Sequence, residues 1–251
     1  RVAILEPRGR DDLRGAVLTE PVSPGAHAGV LFMDADGYRA LSGHGIVAVA
    51  TIALERGLVL PGEDGRSLVL DTPAGTVRVT VEWDEKTDAV GMEARERSRR
   101  VRLVRYSGVP SFVLHGGVEV KLPARVVRAD VAFGGEFYAI VDSEAIGVTL
   151  DPDHAPELSR AGAAIARAVD AAHRVIHPAM PAFDAVRGTI FTGPARASAD
   201  LRSVAVLPGG AVNRSPSGTG LAAIIAVLDA MGLMPVVVPI EDIRQVARQA
   251  K

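Results

Sequence analysis

Two short stretches place hydroxyl, imidazole and glycine where chemistry could use them, and both follow one plan. The first reads Ser42-Gly43-His44-Gly45, runs into an apolar segment and closes at Gly57. The second reads Ser217-Gly218-Thr219-Gly220 and closes at Gly232 after a similar apolar segment. In each the serine precedes the closing glycine by 15 residues, counting 42 to 57 and 217 to 232. Serine is a favoured helix N-cap, and glycine just past an apolar run suits the left-handed residue that ends a helix. The inner glycines let a ligand come close to the backbone. Unpartnered N–H groups at a helix start, helped by the helix dipole, attract an anion such as a carboxylate. Taken singly, each stretch is an ordinary serine-capped helix. Taken together, they predict duplicated lobes whose buried helices point at one cleft.

Other constellations fit blander roles. Gly209-Gly210 and Ser217-Gly218-Thr219-Gly220 lack the lysine of a phosphate-binding P-loop. Neither Ser42 nor Ser217 sits in the Gly-x-Ser-x-Gly elbow of a serine hydrolase. Asp151, Asp153, His154 and Glu157 flank Pro152 ahead of a helical pattern, so capping and dipole complementation are expected there, and no metal site. His173 and His177 precede Pro178 and read as a helix ending with a structural role. Six arginines crowd residues 94–105, but Arg100, Val101, Arg102 and Leu103 alternate as on one solvated strand face.

The elements that must position these residues follow from composition and pattern. The chain has 251 residues, 48% hydrophobic but only 4% aromatic, so its core is built from Val, Ala, Leu and Ile. With 26 Gly and 16 Pro, many turns separate short elements. The net charge of -2 gives no electrostatic reason to expect nucleic acid or an anionic membrane as partner. There is no cysteine, which excludes disulfides and thiol chemistry and fits an intracellular, cytoplasmic location. No apolar run nears the ~20 residues of a membrane span. The chain opens on Arg1 rather than Met and shows no signal-peptide pattern, so an earlier start of the native chain is expected.

Strands are expected at Val2–Leu5, Gly29–Met33, Ser67–Leu70, Val77–Val81, Val101–Val104, Val131–Phe133 and Phe137–Val141. Buried helices are expected over Gly45–Arg56 and Gly220–Met231, and a terminal helix over Glu241–Gln249. Pro156–His173 has apolar residues at helical spacing on one side and predicts a surface helix. The whole is an α+β, mixed α/β architecture, with residues 1–112 and 113–251 as two lobes and the crossing at Ser107–Phe112.

The motifs taken in order resemble the proline racemase family, which includes 4-hydroxyproline epimerases and trans-3-hydroxyproline dehydratases. They are Glu6-Pro7-Arg8-Gly9, Gly29-Val30-Leu31-Phe32-Met33-Asp34, Ser42-Gly43-His44-Gly45, Asp71-Thr72-Pro73-Ala74-Gly75 and Val109-Pro110-Ser111-Phe112. Phe133-Gly134-Gly135-Glu136-Phe137-Tyr138-Ala139 and Arg214-Ser215-Pro216-Ser217-Gly218-Thr219-Gly220 complete the set, which covers roughly residues 2–232. The resemblance implies the diaminopimelate-epimerase type of fold: two similar lobes, each a curved sheet around a central helix. It also implies chemistry without a cofactor, in which helix-start N–H groups hold a carboxylate while two groups exchange the Cα proton on opposite faces. In racemases and epimerases those groups are cysteines, at the positions of Ser42 and Ser217; in dehydratases one base suffices and the second cysteine is a threonine. By the same resemblance Gly43, His44, Gly218 and Thr219 would hold the substrate, and Asn213 stands where an aspartate meets its amino nitrogen. The implied partner is a small amino acid such as proline or hydroxyproline, and a homodimer is compatible with this reading.

The sequence departs from that pattern at Ser42, Ser217 and Asn213. It also lacks the family's amino-terminal segment with an early histidine, and Met234–Lys251 does not match the family's carboxy-terminal strands. A serine hydroxyl ionises far less readily than a thiol, though His44 could serve as a base two residues from Ser42. Three explanations stand: engineered serines that trap a ligand, a divergent enzyme, or a ligand-binding homologue without turnover.

Overall fold

The computed structural model describes residues 7–9, 13–34, 37–84, 99–196, 199–213 and 217–233, and the backbone alone at 240–242. The chain divides into two compact units, Arg1–Val109 and Pro110–Lys251.

Among the described residues the first unit is a sheet with one helix. Its strands are β1 (Gly15–Thr19), β2 (Ala28–Asp34), β3 (Gly37–Arg39), β4 (Ser67–Thr72), β5 (Gly75–Trp83) and β6 (Val101–Ser107), and its helix is α1 (Gly43–Glu55). The order is β1-β2-β4-β5-β6, with β3 hydrogen-bonded to β2. All pairs are antiparallel except β2 with β4. Alternation decides which face is buried: Val77, Val79 and Val81 point inward on β5, with exposed Thr76, Arg78 and Thr80 between them. Leu68 and Leu70 stand opposite Val79 and Val77 in register, so the valine and leucine side chains stack on one side. Ile46, Val49, Ala50, Ala53 and Leu54 bury the matching face of α1. Contrary to the expectation of a helix buried all round, Val47 and Ile52 remain 40% and 56% exposed. One sheet layer can cover only one face of a helix. Where it is described the arginine run is solvated, with Leu103 exposed beside it: Arg102 and Arg105 both pair with Glu82, Arg100 pairs with Glu55 at 2.9 Å, and Arg99 lies 4.3 Å from the Trp83 ring centroid, while residues 94–98 lie outside the described residues.

The second unit has three layers. Its strands β7 (Phe112–Leu122), β8 (Arg125–Phe133), β9 (Phe137–Asp142), β10 (Val186–Gly193), β11 (Leu201–Val206) and β12 (Ile240–Asp242) form a sheet in the order β12-β11-β10-β9-β8-β7. Among the described residues two α-helices belong to it, α2 (Ala155–Ala172) and α3 (Gly218–Ala230). Tyr138, Ile140, Ile190 and Ala132 pack with Ala223, Ile224 and Val227 of α3. The alternate residues face α2: Thr189 donates to the Gly162 carbonyl at 2.8 Å, and Val206 lies where a side chain at Gly162 would be. Helices on both faces explain why all but the last residue of Phe137–Asp142 is buried.

The expected strands and helices between Gly29 and Met231 are present with small shifts at their ends, except that the strand expected at Val131–Phe133 begins at Arg125. Val2–Leu5 lies outside the described residues. Glu241 and Asp242, expected to begin a helix, are instead strand, paired in parallel with Arg202 and Ser203; the rest of that segment lies outside the described residues. Asp151 occupies an N-cap position but makes no capping bond with its side chain. That carboxylate accepts from Thr149 and pairs with Arg196, which takes it away from the helix start. Among the described residues no cluster of His, Asp or Glu has the arrangement of a metal site, and no helix is long and apolar enough to cross a membrane.

Candidate active site

The two serine-glycine stretches open their helices with the same local geometry. Ser42 has φ -137 and ψ 112, and its Oγ accepts the Gly45 N–H at 3.1 Å. Ser217 has φ -83 and ψ 112, and its Oγ accepts the Gly220 N–H, also at 3.1 Å. The serine carbonyls accept the first helical bonds, from Ile46 at 2.8 Å and Leu221 at 2.7 Å. Both helices also end alike. Gly57 and Gly232 are left-handed at φ 63 and 70, and each is followed by a closing bond, Leu58 N–H to Ala53 and Leu233 N–H to Leu228. The repeat seen in the sequence is therefore a structural repeat, with one copy in each unit.

Glycine at the fourth position of each stretch is a packing requirement. A Cβ on Gly45 would come within 2.5 Å of the Phe32 ring, and one on Gly220 within 2.7 Å of Ile190. Each helix start is thus seated on a strand, β2 in one unit and β10 in the other. Gly134 does more for α3: a Cβ there would lie 2.2 Å from the Thr219 carbonyl oxygen and 2.5 Å from the Ala223 nitrogen. The turn between β8 and β9 touches the first turn of α3 because residue 134 has no side chain.

The tips differ in what surrounds the hydroxyl. On α1, Ser42 stands with Gly43 and His44, and His44 is exposed within its unit. Partial desolvation, and then the positive charge of Arg14, hold the His44 imidazole below the ordinary histidine range. It is therefore largely neutral near pH 7. On α3, Thr219 is buried and turns its hydroxyl inward, 2.8 Å from the Tyr138 hydroxyl. Tyr138 also lies 3.4 Å from Ser217 Oγ, and Ser217 and Thr219 hydroxyls are 3.4 Å apart. Thr219 can then meet a ligand through its backbone rather than its side chain. Gly218 begins the same turn. Asn213 follows the Val206–Val212 bridge and donates its N–H to Ala205 at 2.8 Å, while residues 214–216 lie outside the described residues.

Ser42, Gly43 and His44 thus share the first turn of α1, and Ser217, Gly218 and Thr219 that of α3. Tyr138 was not a candidate in the sequence, where it is one residue of a longer motif 79 positions from Ser217. Only the pairing that puts β9 under α3 brings it to the site.

Comparison with known proteins follows the same lines. The family model described as proline racemase matches residues 1–239. Proline racemase of Clostridioides difficile is 34% identical over 239 residues, which cover 94% of this chain and 68% of that protein. Trans-3-hydroxy-L-proline dehydratase of Bacillus cereus is 34% identical over 228 residues, 90% of this chain and 64% of that one. The solved structure of a hydroxyproline epimerase from Agrobacterium vitis, with bound trans-4-hydroxy-L-proline, superposes with a TM-score of 0.80 at 29% identity, covering 93% of this chain and 64% of that one. The chain therefore spans about two thirds of the length of the relatives it matches.

Proposed function

Because the chain belongs to the proline racemase family, we propose that it acts without a cofactor on proline or a hydroxyproline, as a racemase or epimerase that moves the Cα proton, in the cytoplasm. The observation that carries this reading is the pair of helix starts with the same serine cap, each with a hydroxyl at its mouth and N–H groups suited to a carboxylate. In the proposed reaction a base at one tip takes the Cα proton, and the electron pair of the broken C–H bond spreads into the carboxylate. Helix-start N–H groups stabilise that charge as it grows. A hydroxyl at the other tip then gives a proton to the opposite face of Cα, inverting it. Ser42 and Ser217 carry the exchange, Gly43, Gly218 and Thr219 hold the carboxylate, and His44 and Asn213 meet the rest of the ligand.

Among the described residues a neutral imidazole shares the helix start with Ser42 while hydroxyls surround Ser217, which favours a second reading. A single base is enough for a lyase of the trans-3-hydroxyproline dehydratase kind, in which removal of the Cα proton expels the 3-hydroxyl as water.

The test is incubation with the stereoisomers of proline and hydroxyproline in deuterated water. α-Deuterium in the recovered amino acid is expected for the racemase or epimerase, and a pyrroline trapped by a carbonyl reagent for the dehydratase. Ser42→Cys with Ser217→Cys should raise the exchange rate by about tenfold or more, since a thiol at a helix start ionises near neutral pH. No exchange and no pyrroline in either protein, with a ligand that still raises the melting temperature, would leave a binding protein without turnover.

A further inference from the structure

The two helix tips hold their serines differently. Among the described residues, Ser42 Oγ has the Gly45 N–H as its partner. Ser217 Oγ has the equivalent Gly220 N–H and, in addition, lies 3.4 Å from both the Thr219 and the Tyr138 hydroxyls. Tyr138 is nearly sealed, at 4% exposure, and its ring belongs to the apolar cluster beneath α3. A buried phenol needs a hydrogen-bond partner, and the shortest contact shown here is Thr219 Oγ1 at 2.8 Å.

We propose that Tyr138 is a positioning residue for Ser217, acting through Thr219 to set which way the serine hydrogen points. This rests on the proton-transfer role given above to Ser217. If Tyr138 donates to Thr219, the Thr219 hydrogen is free to go to Ser217 Oγ. Ser217 then accepts from Gly220 N–H and from Thr219, which occupies both of its lone pairs. Within the cluster its own hydrogen then has only the Tyr138 oxygen, at 3.4 Å a long contact for an O–H···O bond, and so is available to a ligand. Linked donors polarise one another, so the chain Tyr138 to Thr219 to Ser217 also makes Ser217 a better donor. When the Ser217 Oγ–H bond breaks and a Cα–H bond forms, the electron pair left on oxygen stays held by the Gly220 N–H and the Thr219 hydroxyl. The reverse transfer, from Cα to that oxygen, uses the same two bonds. Among the described residues the Ser42 hydroxyl of the α1 tip has no such chain.

The cysteine-free chain allows a test that does not depend on turnover. Ser217→Cys and Ser42→Cys each introduce a single thiol, whose ionisation is read from the rate of iodoacetamide alkylation against pH. Adding Tyr138→Phe, which removes one oxygen from a buried ring, should raise the midpoint at position 217 by on the order of half a pH unit. The midpoint at position 42 should not move. An unchanged midpoint at 217, or an equal shift at both positions, overturns the proposal. In α-proton exchange with the serines in place, Tyr138→Phe should lower kcat on the order of tenfold with KM little altered. A selective midpoint shift in a protein that exchanges no α-proton would uphold the positioning role and sink the catalytic reading instead.

Discussion

A histidine four residues after another, just before a proline, carries little information in a sequence, and His177 shows how the fold gives it a definite state. Its Nδ1 accepts the N–H groups of Ala179 and Met180 at 3.1 and 3.0 Å, and its ring packs against Phe112, Phe133, Phe137 and Phe183. The nitrogen that accepts cannot also carry a proton, so the fold requires the neutral ring. Desolvation accordingly pushes the His177 pKa down. The unfolded chain therefore takes up the proton first, near pH 6.5, and folded stability falls as pH drops below that value and is flat above it. Carboxylates such as Asp71 act in a separate, more acidic window. Burial there is outweighed by N–H donors from Ser23 and Val22, so the pKa is lowered and the stability is lost only on stronger acidification. The expected result is a melting temperature that declines between pH 7 and 5.5 in the parent and much less in His177→Gln, which should itself melt lower at pH 7.5. Equal slopes would sink the assignment. At this scale the sequence showed the serines and glycines of the two tips because capping is local. It concealed Tyr138, whose role needs a partner about eighty positions away.

Elements were legible where their signals lie within a few residues. Both apolar helices were expected from a serine, a glycine pair and a closing glycine, and the structure keeps all three roles. Among the strands missed, which also include β3, β11 and β12, three have a pattern diluted by context. β1 is an exposed edge, β7 mixes His115, Gly116, Gly117, Glu119 and Lys121 into its run, and β10 is interrupted by Gly188. That glycine is required because the Val206 carbonyl oxygen would lie 2.3 Å from its Cβ. The same distinction between conformation and space yields a prediction for α1 and α3. Gly57 has φ 63 and nothing within 4 Å of a built Cβ, so Gly57→Ala should cost only the left-handed strain, about 1 kcal/mol. Gly134 would instead drive a methyl into the backbone of the first turn of α3. Gly134→Ala should therefore cost more in a urea melt and, unlike Gly57→Ala, also impair ligand protection or exchange at the Ser217 tip. Similar losses from both substitutions, with the tip unaffected, would show that the seat of α3 on the β8–β9 turn does not matter.

For the molecule as a whole, the two units repeat one helix-start device on unequal scaffolds. The duplication could be inferred from spacing alone, but not this inequality, because layer count depends on which strands pair. In Pro110–Lys251 the sheet is covered on one face by α2, through Leu158, Ile165 and Val169, and on the other by α3, through Ala223, Ile224 and Val227. In Arg1–Val109 the described residues place one helix on one side of the sheet, and its outer flank leaves Val47 and Ile52 exposed within the unit. A unit with its own well-covered hydrophobic core can fold alone, and a sheet closed on both faces provides one. Residues 110–251 expressed by themselves should then give a cooperative thermal transition by circular dichroism and elute as a compact species. Residues 1–109 by themselves, with an apolar helix flank in water, should self-associate or melt without a sharp transition. A separate second unit that shows no cooperative transition would mean that its three layers do not suffice, and that the unit is held together by groups outside it.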